Sequence, residues 1–404
     1  MGQINIGVDN VARKVKSAYV GVDGVARKIK QVFVGDSNGI ARLVWQAIKK
    51  LTAYKETKYG LGTLPVTALS SIQGVLKLSD NHIVVGTYES VSSSDVRENY
   101  LYNVYLNDDS SVSSYTKFNF NREHTSLWQA TLRGLVKLND TYGVAFAANY
   151  YTASSDTGSD YYNLYLFKLD NGAYYNSLQI MQGTSDGITA LLPMDNDSVL
   201  IITYYSTYAY YRFYQYNSGN LEQKAYNALE NLEYIYGAMS AAKVSGNRFI
   251  LAYSNETNTI INLYSYNSDN TVTKLNSVTI NEHFGSIHNI IDMGNDVYVL
   301  ISFGKYIAFR LDSNNFVCGN VCSYDFAYYK ASRIGNTNNI AILNASYQPN
   351  MLILYVDTSN LTTSVMQECT PIDRGTTIIP YKDDQLLALD EWGSYIDICN
   401  YTFE

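Results

Sequence analysis

Apolar positions in this chain come in short, paired runs. Residues 134–150 read GLVKLNDTYGVAFAANY, an apolar strand, an Asn139-Asp140 turn and a second apolar strand. Both arms are rich in branched and small residues and run continuously rather than alternating, the pattern of strands buried on both faces. The unit recurs at residues 74–88, 188–205, 239–254, 290–303, 331–346 and 376–392. Its turns fall at about Asp80, Asp140, Asn196, Gly246, Asn295, Asn336 and Asp383, spaced by 60, 56, 50, 49, 41 and 47 residues. A hairpin recurring seven times at roughly four dozen residues predicts an all-β, seven-bladed β-propeller. A β-sandwich with regular hairpins is the competing architecture, and the number of copies weighs against it.

The rest of each period supplies an outer, half-exposed pair. Residues 210–226 and 261–280 are Tyr-rich and visibly alternating, around the turns Asn217-Ser218-Gly219-Asn220 and Asn267-Ser268-Asp269-Asn270. Asn and Gly tolerate positive φ, which is what tight hairpins require. The last period, after Thr376, holds only the inner pair and residues 394–403, one strand short. A strand within residues 52–66 is expected to complete it, closing the ring and removing free edges.

A shorter repeat occupies the start of the chain. Residues 7–20, 21–34 and 35–46 share one pattern, with Asp9-Asn10, Asp23-Gly24 and Asn38-Gly39 as type I′ turn dipeptides. The reading is a small N-terminal β-meander of three hairpin-linked strands. A helical reading survives in the spacing of Val11, Val15, Ala18 and Val22, but turn signals every 14 residues oppose it. So short a segment holds too little apolar surface for a core of its own. The division is therefore residues 1–50 as an N-terminal β-repeat docking module and residues 51–404 as the propeller.

Charge follows the same division. Residues 1–50 carry nine Lys or Arg against Asp9, Asp23 and Asp36, a net of +6, so the remainder carries −14 of the chain's −8 total. Such asymmetry points to two different jobs. The basic set Arg13, Lys14, Lys16, Arg27, Lys28, Lys30 and Arg42 raises a nucleic-acid reading. No aromatic residues are interleaved to stack bases, and the charges repeat with the strand period, so a subunit-facing docking surface is the better reading and nucleic acid is not expected. No stretch is long and apolar enough to span a bilayer, and Met1 is not followed by a charged segment and an apolar run, so neither membrane insertion nor a signal peptide is expected. The four cysteines, Cys318, Cys322, Cys369 and Cys399, are too scattered for a disulfide framework. Cys318 and Cys322 could pair across a Gly-Asn turn, or remain buried thiols. With no CxxC pair and only four His residues, no metal site and no cofactor are expected.

The run Val11-Ala12-Arg13-Lys14-Val15-Lys16 and its copies beginning at Val25 and Ile40 resemble repeats of the form VARKVKxxYVGVxGVAR. Such repeats open structural and tail-associated proteins of phages that infect Firmicutes. The resemblance covers about 40 residues, and the third copy departs from it with Leu43-Val44-Trp45 in place of the basic residues. It implies a virion component, of tail-fibre or baseplate type, made in the host cytoplasm. It implies too that the N-terminal module docks to other virion proteins, in a homo-oligomer, while the C-terminal part is displayed.

Function is expected where the loops after the second strand of each blade and the links between blades share one face. That face would carry Trp128, Tyr150, Tyr151, Tyr205, Tyr208 and Trp392, aromatics able to stack on sugar rings. The competing reading is that they pack loops onto blades. No GxSxG, HExxH, P-loop or GxGxxG motif is present, and the Asp box of sialidase-type propellers is absent. Asp95, Glu98, Asp156, Asp390 and Glu391 lie in predicted loops of that face, and a glycan hydrolase or lyase needs only two such acids. The leading expectation is a non-enzymatic virion protein whose propeller contacts a host-surface carbohydrate. A purely structural or capsid-decorating role and a glycan-cleaving enzyme are the alternatives.

Overall fold

A computed structural model describes residues 5–403 except 9–10, 15–18, 23–24, 29–30, 36–40, 47–50, 61–69, 91–96, 110, 120–128, 152–158, 171–173, 183–186, 206, 233–234, 236, 325–329, 344–350, 370–374, 383–384 and 391–394. Every regular element among the described residues is a strand.

Most of the chain is laid down as consecutive antiparallel sheets of four strands, each strand pairing with the next in sequence. The first sheet spans residues 70–119, the second 129–182, the third 187–231 and the fourth 240–280. The fifth spans 287–323 and the sixth 330–369. The fifth gains an additional short strand, Cys322–Ser323, paired with Lys305–Asp312. The last sheet is assembled differently. Gly375–Pro380, Gln385–Asp390 and Tyr395–Phe403 pair in order, and Leu51–Gly60 adds antiparallel to Tyr395–Phe403 as its fourth strand.

Two sets of contacts fix how the sheets stand together. The first strand of each sheet lies against the first strand of the next, and Gly375–Pro380 of the last sheet lies against Ser70–Ser79 of the first. Each pair of neighbours also shares an apolar cluster. Val144 and Phe146 of the second sheet meet Val199 and Ile201 of the third, while Ala145 and Ala147 face back to Val84 and Leu101 of the first. These four second-sheet residues are consecutive and all fully buried. A strand with neighbours on both faces has no polar side, which explains its unbroken apolar run.

The turns follow from local chemistry. Asn196-Asp197 and Asn295-Asp296 hold φ of 60° and 53°, and of 54° and 57°, inside two of the inner hairpins, and Ser218-Gly219 hold 48° and 95° in an outer one. The connection at Asn139-Asp140 is longer than the two-residue turn expected, because residues 138–141 all lie outside the paired strands. The Asn139 side-chain oxygen accepts hydrogen bonds from the backbone N–H groups of Thr141 and Tyr142, at 2.9 and 2.8 Å, and so builds an Asx turn.

The N-terminal repeat departs from a three-stranded meander. Asn5–Val8 pairs with Val11–Lys14, Tyr19–Val22 with Val25–Lys28, and Gln31–Gly35 with Ala41–Gln46, each as a two-stranded sheet. Each hairpin has one turn dipeptide between its two strands, so every repeat contributes to a hairpin of its own instead of supplying one strand to a shared sheet.

Candidate functional site

The strand Tyr208–Asn217 alternates its side chains between two neighbours. Tyr211 and Phe213 point to the fourth sheet, where the Phe213 ring stacks on Tyr266 at 3.6 Å between centroids. Tyr208, Tyr210, Arg212 and Tyr214 share the opposite face, which packs on the second sheet through Tyr214, Val199 and Ile201. Past Tyr214 this face opens to solvent. Tyr208 is 40% exposed, and Tyr226, which sits opposite Arg212 on the strand Asn220–Asn231, is 47% exposed.

Three phenol rings form a row there. The Tyr208 and Tyr210 centroids are 6.2 Å apart with planes at 43°, and those of Tyr210 and Tyr226 are 5.9 Å apart at 32°. Ala228 sits opposite Tyr210 and is itself exposed, so the cross-strand neighbour on that side is small. A bulge between Ala209 and Tyr210 kinks the ladder at this level. The Arg212 guanidinium lies 4.2 Å from the Tyr226 ring centroid, and its Nη1 donates to the Thr203 hydroxyl at 3.3 Å. Below it, burial pushes the Tyr214 phenol well above its ordinary pKa, opposed by the Arg212 charge, and its hydroxyl donates to Gln223 at 2.9 Å.

Of the residues singled out in the sequence, Tyr208 belongs to this row. Tyr205 is its register partner across the inner ladder. Tyr150 and Tyr151 end the strand Tyr142–Tyr151 of the second sheet, opposite Asp160 and Ser159. Trp128 and Trp392 lie outside the described residues, as do Lys16 and Lys30. Arg13 and Lys14 end the strand Val11–Lys14, Arg27 and Lys28 end Val25–Lys28, and Arg42 lies in Ala41–Gln46. Tyr210, Arg212 and Tyr226 were not anticipated as site residues, although the alternation of YAYYRFYQY already put Tyr208, Tyr210 and Arg212 on one face.

A second concavity, a cavity of about 770 Å³, lies where the first and last sheets meet beside the turn of the sixth. Its polar groups are engaged with one another. Lys77 donates to the Tyr381 carbonyl and pairs with Asp80 at 2.8 Å, and Lys382 reaches the Asp108 carbonyl at 3.3 Å. This arrangement joins the first and last sheets. Cys318 and Cys322 are free thiols, half-buried against different apolar clusters. Among the described residues no three His, Cys, Asp or Glu side chains converge as metal ligands would, and no helix is long and apolar enough to cross a membrane.

No protein-family model matches this chain, and no curated protein matches its sequence. Solved structures match its shape. A chain from the mitotic checkpoint complex aligns with a TM-score of 0.55 at 8% identity, covering 87% of this chain and 91% of its own. A protein from Lactobacillus plantarum gives 0.53 at 11%, covering 77% and 89%. The C-terminal WD40 domain of Sif2 gives 0.51 at 12%, covering 87% and 98%. At these identities the likeness is one of fold alone, that of an all-β, propeller-like array of antiparallel four-stranded sheets.

Proposed function

We propose that this chain is a non-enzymatic binding protein in which one seven-bladed propeller, completed by residues 51–60, holds a saccharide on aromatic side chains of its third sheet. The blade count is supported by the unbroken circle of first-strand contacts, which returns from Gly375–Pro380 to Ser70–Ser79. The observation that carries the binding reading is the row of Tyr208, Tyr210 and Tyr226, with its two end rings 40% and 47% exposed on paired strands. Exposed phenols offer an apolar face for the C–H side of a sugar ring and a hydroxyl for its polar rim. A rigid strand pair holds them in place before the ligand arrives, which lowers the ordering cost of binding.

The surface is proposed to extend onto Trp128, Tyr150, Tyr151, Tyr205 and Trp392. In the same reading residues 1–50 dock the chain to other proteins of a phage virion through Arg13, Lys14, Lys16, Arg27, Lys28, Lys30 and Arg42. The protein would act there as a homo-oligomer that displays the propeller to a bacterial surface. The support for this part is the N-terminal repeat and its +6 charge against an acidic remainder.

The test is binding of the full-length chain to immobilised bacterial wall polysaccharides, beside a Tyr208→Ala, Tyr226→Ala double variant. Saturable binding that the double variant loses is the expected result. A folded parent that binds none of them sinks the reading and leaves the propeller as a structural spacer.

A further inference from the structure

Arg212 is 7% exposed and has no carboxylate partner among the described residues. Its contacts are the neutral Thr203 hydroxyl at 3.3 Å and the Tyr226 ring at 4.2 Å. Neighbouring acids of the same sheet are engaged elsewhere. Glu222 pairs with Lys224 at 2.6 Å, and Glu230 pairs with Lys274 at 2.6 Å on the side of the fourth sheet. A guanidinium presents five N–H donors, and Thr203 takes one. Holding a desolvated cation without a counter-charge costs more than a cation–π contact returns.

We infer that the ligand of this face is an acidic saccharide, with a carboxylate or phosphate group taken up by Arg212 while its rings lie on Tyr208 and Tyr226. The inference rests on the saccharide reading above. The planar fork of the guanidinium matches the oxygens of either oxyanion, and the low dielectric around a buried donor strengthens the pairing. A neutral sugar would leave the charge uncompensated, and a cationic one would be repelled. Single-stranded nucleic acid also combines phosphates with stacking rings. It binds through many cations along its backbone, however, whereas this chain carries a net charge of −8 and Arg212 is the cation set against these rings.

The experiment is calorimetric titration of the full-length chain with four probes: oligogalacturonate, its methyl ester, a phosphomannan oligosaccharide and a single-stranded oligonucleotide. The ester keeps the rings and removes the charge, and the two polyanions separate carboxylate from phosphate. At least tenfold tighter binding of one acidic probe than of the ester is expected. Arg212→Gln should erase that preference. The ligand-free Arg212→Met variant should melt no lower than the parent, because it removes an uncompensated charge. Equal binding of acid and ester, both lost in Tyr226→Ala, overturns the role of Arg212 and leaves the saccharide reading standing. Binding of neither acidic probe overturns the inference, and so does preference for the oligonucleotide. A large drop in melting temperature for Arg212→Met would overturn it too, by showing that the guanidinium is already compensated in the free protein.

Discussion

The Tyr381 hydroxyl donates a 2.6 Å hydrogen bond to the Asp80 carbonyl, joining residues 301 positions apart. Tyr381 follows the first strand of the last sheet, and Asp80 sits in the first turn of the first sheet. Lys77 ties the same two residues from the other side, through the Tyr381 carbonyl and the Asp80 carboxylate. Beneath this polar latch Tyr381 and Leu387 pack on Ile83, Val85 and Tyr102. Tyr381→Phe keeps the packing and removes one bond, so it should cost about 1 kcal/mol in urea unfolding. Tyr381→Ala also removes a ring that is 2% exposed, and should cost about 3–5 kcal/mol. Equal losses for the two variants would show that the ring contributes nothing to closing the circle.

That contact marks the boundary of what the sequence could disclose. Hairpins were legible because their signals are local: Asn295-Asp296 and Ser218-Gly219 are dipeptides suited to the positive φ they adopt. The continuous run at Val144–Ala147 disclosed that both faces are buried, but not that they divide between the first and third sheets. Nothing near Tyr381 points to Asp80, since partner choice depends on how the whole circle closes. The site was half legible for the same reason. Tyr208 could be read from its place near a predicted loop, whereas Tyr226 joins the row only through pairing with Arg212, and the isolation of Arg212 depends on which acids the neighbouring sheets engage.

Alkaline pH should unfold this protein through its phenols. Burial raises the pKa of Tyr298 and Tyr306, burial and the neighbouring Glu230 raise that of Tyr264, and burial takes Tyr266 and Tyr355 up to about 12. Each raised phenol stays protonated in the fold while the unfolded chain releases its proton near pH 10. Stability is therefore fully present below about pH 10 and falls as the pH climbs towards 12. The urea midpoint followed from pH 8 to 11.5 should hold to about pH 9.5 and then drop steeply. A midpoint constant across that range would contradict the burial of these groups.

Tyr306 offers a sharper version of that experiment. It is 1% exposed, and its hydroxyl has no hydrogen-bond partner among the described residues. An unpaired buried hydroxyl costs about 1–3 kcal/mol of desolvation. Tyr306→Phe should therefore be as stable as the parent or more stable by about 1 kcal/mol at pH 8, with a shallower alkaline decline. A clear loss of stability at pH 8 would mean that the hydroxyl is satisfied in solution.

Glu230 holds the third and fourth sheets together. Its carboxylate accepts from the Tyr264 hydroxyl, from Asn262 Nδ2 at 2.7 Å and from Lys274 at 2.6 Å. Asn262 is fully buried, and Lys274 is 38% exposed on its side chain, so loss of the carboxylate strands the amide more than the ammonium. Glu230→Gln should cost about 1–2 kcal/mol, because a charge-assisted acceptor becomes a neutral one. A double-mutant cycle with Tyr264→Phe should show about 1 kcal/mol of coupling, and a value near zero would show that the two groups act independently.

The tyrosine row should separate binding from folding. Tyr208 is 40% exposed, and its truncation to Ala removes little buried surface, so stability should change by no more than about 0.5 kcal/mol. Tyr226→Ala also loses the cation–π contact with Arg212 and should cost up to about 1 kcal/mol more. Tyr211 and Phe213, which pack on the fourth sheet, face the opposite way and keep their contacts in both variants. If the row is a saccharide platform, each variant alone should weaken polysaccharide binding at least tenfold while its urea midpoint stays near that of the parent. Variants that lose stability and binding in proportion would instead make these rings part of the packing between sheets.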